Sequence, residues 1–147
     1  MSDDVLPASA IRFNAEASNW QQAITISGDL LVESGATTED YTAAMVQTVE
    51  ELGPYMVIAP GFALAHARPS EAVHHTGLSW VTLAQPVEFG SEANDPVDLV
   101  VGLAALDHDS HIQVMSKLAR VLATPEVLAR LRASNDPEEI RAALLGE

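Results

Sequence analysis

Val97-Asp98-Leu99-Val100-Val101-Gly102-Leu103-Ala104-Ala105-Leu106 runs straight into Asp107-His108-Asp109-Ser110-His111. The first ten residues are apolar except at Asp98 and Gly102. An apolar run without alternation suits a strand buried on both faces, the kind found in a sheet covered by helices. The acidic and polar residues after it suit a helix start, where side-chain oxygens meet free N–H groups. A strand that empties into a helix is the repeating step of an α/β fold. Leu99–Leu106 is also the longest apolar run, well short of the roughly 20 residues that span a bilayer.

Working outward, the same two periods recur. Ile11-Arg12-Phe13-Asn14 suits a short strand. Ser18, with Gln21 three residues on, reads as a helix-opening capping box. Trp20, Ile24, Ser27 and Leu31 then share a helical stripe in which Ser27 is the weak position, and Gly35 supplies a stop. Thr37 with Asp40 opens a second helix in the same way, with Tyr41, Met45, Thr48 and Leu52 on one face and Gly53-Pro54 at its end. Tyr55–Ala59 is β-rich and stops at the turn signal Pro60-Gly61. Val73–Leu83 reads as another strand. After the helix near Asp107–Ser110, with Ile112, Met115, Leu118 and Leu122 on one stripe, two more helices open at Thr124-Pro125 and Asp136-Pro137. The expectation is a single α/β domain over 1–147, a mixed, mostly parallel sheet with helices on both faces; strand order does not follow from the pattern.

The chain has 147 residues with 21 Asp/Glu against 7 Lys/Arg, a net charge of −14. Such a balance argues against nucleic acid and against an anionic membrane surface, and favours a basic protein partner. The bias is uneven: residues 1–116 carry 16 acidic groups and only Arg12 and Arg68 as cations, whereas 117–147 carry five of each sign. The absence of cysteine excludes disulfides, thiolate nucleophiles and sulfur-ligated metals. The acidic opening Met1-Ser2-Asp3-Asp4 is unlike a secretory signal, so a cytoplasmic location is expected.

Five histidines, His66, His74, His75, His108 and His111, are the main candidates for chemistry. His66 leaves the Pro60-Gly61 turn between Ala65 and Ala67, small neighbours that would leave its imidazole accessible. His111, in the first turn of a helix, shares a stripe with Met115 and Leu118. A neutral imidazole there can donate to an anion beside the helix N–H groups; the competing reading is a core-edge histidine bonded to a carbonyl. His74 and His75, adjacent on a strand, would point to opposite faces. His108 reads as an exposed capping-region residue. His108, His111, Asp107 and Asp109 could ligate a metal, but no H-E-x-x-H or second clean pair supports one, so neither metal nor cofactor is expected.

The stretch Glu51-Leu-Gly-Pro-Tyr-Met-Val-Ile-Ala-Pro-Gly-Phe-Ala-Leu-Ala-His-Ala-Arg-Pro69 resembles the enzyme IIA (EIIA) component of the sugar phosphotransferase system (PTS), mannitol–fructose class. Ala15-Glu16-Ala17-Ser18-Asn19-Trp20, Thr38-Glu39-Asp40-Tyr41 and Leu106-Asp107-His108-Asp109-Ser110-His111 resemble its L-ascorbate branch. The resemblance implies a mixed sheet flanked by helices. It implies that His66 takes a phosphoryl group from the histidine phosphocarrier HPr and passes it to a cysteine of a cognate EIIB, with the membrane component EIIC involved only indirectly. It implies that the histidine at His111 helps hold the phosphoryl group. Two departures stand out. Ala65 replaces a proline common before the active histidine, and Met45–Leu52 lacks the arginine of the mannitol and fructose branches, leaving Arg68 as the nearest cation in sequence. A regulatory module phosphorylated on the same histidine, and a metal-dependent hydrolase, are the alternatives. The identity of the sugar and the choice between monomer and homodimer stay open.

Overall fold

The computed structural model describes residues 5–53, 56–67 and 70–145, with the side chains of Leu52, His108, Ser110, His111, Leu122 and Leu145 left aside. Pro54, Tyr55, Arg68 and Pro69 therefore lie outside the described residues. A 3₁₀ turn at Ala8–Ala10 leads into β1 (Ile11–Ala15), α1 (Trp20–Glu33), α2 (Glu39–Leu52), β2 (Val57–Ala59), β3 (Phe62–His66), β4 (Gly77–Val87) and β5 (Val97–Ala104). Then come α3 (His108–Leu122), α4 (Pro125–Ala133) and α5 (Pro137–Leu145). The five strands form one mixed sheet in the order β1-β4-β5-β3-β2. The pairs β1–β4 and β3–β5 are parallel, and β4–β5 and β2–β3 are antiparallel.

β5 lies mid-sheet and is buried at every position except the half-buried Asp98, as its largely apolar pattern without alternation predicts. Helices cover both faces. On one side α1 crosses β4 and β5, where Ser79 Oγ donates to the Ser27 carbonyl at 2.9 Å. Gly102, paired with Ser79, sits under this crossing. A Cβ there would run into Ser79 Oγ and lie 3.3 Å from Leu31 and Ser27. Ser27 and Gly102, two of the apparent faults in the apolar pattern, are thus one close helix–sheet approach. On the other side Leu78 of β4 lines a cleft with Val114 of α3 and Leu144 of α5. Val114, Leu118 and Val121 form the buried stripe of α3. Burying each such side chain is worth roughly 1.5–3 kcal/mol.

Several boundaries differ from the sequence expectation. The cap of α1 is Asn19, whose side chain accepts from Gln22 N–H at 2.9 Å, while Gln22 Oε1 accepts from Ser18 N–H. The box is one residue later because Asn19 offers its own oxygen. α1 stops as expected: Gly35, at φ 86°, lets its N–H reach Val32 O while Ala36 N–H reaches Leu31 O. α2 is capped by Thr38, not Thr37, and neither Thr38 nor Thr124 makes a side-chain capping bond. β4 starts at Gly77; Val73 makes only an isolated bridge with Thr37, and the His74 and His75 amides both donate to Ala36 O, so 71–76 is a turn pinned to the end of α1. Ile112 is 49% exposed, because the buried stripe of α3 passes through Val114 instead.

Candidate active site

β3 was not expected as a strand. It pairs with β5 along its whole length, from Phe62 opposite Leu99 to His66 opposite Leu103. Pleating puts Phe62, Leu64 and His66 on one face and Ala63 and Ala65 on the other. Ala65 is opposite Gly102 and fully buried, on the face where α1 comes closest. Two expectations are corrected here. His66 is the last residue of a strand rather than part of a turn. The small Ala65 fits the crowded α1 face and opens no space around the imidazole.

His66 is half-buried, and its Nδ1 lies 2.8 Å from the Leu64 carbonyl oxygen. A carbonyl only accepts, so in the neutral ring the proton is assigned to Nδ1 and the lone pair to Nε2. The next residue is held as well. Ala67 N–H donates to Tyr41 Oη at 3.0 Å, and that hydroxyl lies 2.7 Å from Leu103 O. Tyr41 was legible as a packed-face residue of α2 and as part of a family-like stretch; nothing in the pattern signalled the role of its hydroxyl.

β3 and β5 run parallel, so both end at the same edge of the sheet. α3 begins at His108, four residues after β5 ends, which brings its first turn, with His111, to the edge where His66 sits. Ligands of open α/β sheets gather at this kind of edge. The side chains of His111 and His108, and all of Arg68, lie outside the described residues. His74 is exposed in the 71–76 turn. His75 turns towards the end of α1, near Gly35, with Nδ1 3.1 Å from Thr76 O. Neither joins His66, which faces the other side of the sheet. Among the described residues, no three His, Asp or Glu side chains gather to hold a metal ion. α2 supplies no cation, since Glu39–Leu52 contains no Lys or Arg.

The mixed sheet thus sets a half-buried histidine at the shared end of two parallel strands, where another protein could reach it. The family model described as "Phosphoenolpyruvate-dependent sugar phosphotransferase system, EIIA 2" matches residues 4–146, and the chain belongs to that family. It is 40% identical to the ascorbate-specific PTS system EIIA component of Escherichia coli, over 95% of this chain and 92% of that one. The cryptic mannitol-specific phosphotransferase enzyme IIA of Escherichia coli, known in solution, has 33% identity and a TM-score of 0.85, covering 98% of this chain and 97% of that chain. The mannitol enzyme IIA solved in complex with phosphorylated enzyme IIB, also from Escherichia coli, has 29% identity and a TM-score of 0.82, covering 96% and 97%. Among the described residues, no helix is long and apolar enough to cross a membrane.

Proposed function

We propose that His66 accepts a phosphoryl group on Nε2 from phospho-HPr and passes it to a cysteine of a cognate EIIB during uptake of a carbohydrate, L-ascorbate being favoured. The contact between His66 Nδ1 and Leu64 O carries this reading, because it leaves the lone pair on Nε2. The ascorbate assignment rests on the 40% identity to the ascorbate-specific component. The EIIB partner is supported by the mannitol IIA–IIB complex. The protein works in the cytoplasm and reaches the membrane component EIIC only through EIIB.

In the first step the Nε2 lone pair attacks the phosphorus of phospho-HPr. The new N–P bond forms as the N–P bond on HPr breaks, and the HPr nitrogen takes back its electron pair. The His66 ring gains positive charge as this happens, and Leu64 O, facing the Nδ1 proton, stabilises it. In the second step the EIIB thiolate attacks the same phosphorus in line and Nε2 leaves. Little bonding is asked of the protein beyond position and electrostatics. His111 and the first N–H groups of α3 receive the phosphoryl oxygens, and Arg68 contacts the phosphoryl group or the partner. Incubation with enzyme I, HPr and labelled phosphoenolpyruvate tests the assignment. The wild-type chain labels and passes the label to EIIB, whereas His66→Ala does not label. Full labelling of His66→Ala would reject it.

A further inference from the structure

We propose that Tyr41 is a positioning residue for phosphoryl transfer; this rests on the reading of His66 as the acceptor. The β3–β5 ladder ends with His66 opposite Leu103. The amide just beyond it, Ala67 N–H, donates to a side chain, Tyr41 Oη, at 3.0 Å. That hydroxyl in turn donates to Leu103 O at 2.7 Å, with Ala67 O 3.1 Å away and within reach of the same hydrogen. A hydroxyl has one hydrogen and two lone pairs, enough for this arrangement. One oxygen therefore fastens the residue after His66 to the residue opposite His66. Tyr41 is 1% exposed, so it does not meet a docking carrier. Its effect on the reaction runs through the backbone of His66.

That backbone matters because in-line transfer tolerates little displacement; a shift of about 1 Å can lower the rate about a hundredfold. His66 stands at the end of a strand, where ladder support stops. Its ring is oriented by a carbonyl only two residues back, at Leu64. This contact holds its geometry only while the chain through 66 and 67 keeps its course. The Tyr41 hydroxyl holds that course from α2, an element that carries none of the reacting atoms.

Tyr41→Phe removes the hydroxyl and little else. The account predicts that kcat for transfer from phospho-HPr falls about tenfold. KM for phospho-HPr stays within about twofold, because position 41 does not touch the partner. Nitrogen NMR of His66 shows the Nδ1–H tautomer in the wild type and a mixture in the variant. Val49→Ala, in the same helix and also buried, controls for lost stability and keeps kcat within about twofold. Unchanged kcat and ring signals in Tyr41→Phe, or an equal loss in Val49→Ala, would overturn the proposal. Should Tyr41→Phe not fold, hydrogen exchange in the wild type decides: Ala67 N–H exchanges slowly if the clamp exists, and open-chain exchange there overturns it. Failure of the wild-type chain to label on His66 would instead overturn the phosphocarrier reading and the reaction that Tyr41 serves. Ring signals and Ala67 exchange would still report separately on the clamp.

Discussion

The two nitrogens of a histidine ring are close in basicity, and at His66 the Leu64 carbonyl 2.8 Å from Nδ1 tells them apart. The protonated nitrogen faces the sheet backbone, and in the proposed mechanism the nucleophilic one is Nε2. Phosphorylated protein should therefore carry its phosphoryl group on Nε2, which phosphorus–nitrogen NMR couplings would show directly. In the proposed step His111 meets the phosphoryl oxygens. Replacing a donor that meets developing charge commonly lowers a rate by about 10²–10³-fold. His111→Ala should slow transfer by about that much and shorten the life of the phosphoprotein, yet still label on His66. Unchanged transfer kinetics and lifetime would remove His111 from the site. His66 stood out as a candidate in the sequence because a short, family-like segment surrounds it. Its tautomer was not legible, because the partner carbonyl is set by the strand conformation of β3.

At the scale of elements, the α1–sheet contact depends on small groups meeting. Ser27 lies over Gly102, and Ser79 spans the gap. Gly102→Ala forces a methyl into Ser79 and should destabilise the fold by about 1–3 kcal/mol, lowering Tm by several degrees. A thermal melt equal to wild type would show that the layers are not in close contact there. Elements with their own caps or strong periodicity were legible: β5 by its apolar run, α4 and α5 by Pro125 and Pro137, α1 by its stripe. β3 was not. Phe62–His66 contains two alanines, poor strand formers, just after Pro60-Gly61. Its strand character comes from pairing with β5, some 37 residues on in the register. The start of β4 was misplaced for the converse reason. Val73 has strand propensity, but hydrogen bonds to Ala36 hold its neighbours His74 and His75 in a turn.

Across the whole molecule the net charge of −14 sets how partners arrive. A carrier with a basic docking face is drawn in at long range, and this attraction is screened over roughly 8 Å at physiological salt. Association with HPr should slow as salt rises, while the transfer step within the complex changes little; stopped-flow at several salt concentrations separates the two. The same charge acts against the fold at Asp29. Its pKa is raised from 3.8 by partial burial, then by Glu33 and Glu39, with Arg12 opposing. A carboxyl with a raised pKa binds more protons folded than unfolded, so stability falls as pH rises from 3.8 through the raised value. Asp29→Asn should therefore raise Tm at about pH 7 and change it little at about pH 3. An equal effect at both pH values would contradict the cause given. The most direct test of the central claim remains phosphotransfer from labelled phosphoenolpyruvate through enzyme I and HPr, followed by site mapping. The account predicts acid-labile label on His66 that moves on to an EIIB cysteine. Label on another residue, or undiminished label in His66→Ala, would contradict it.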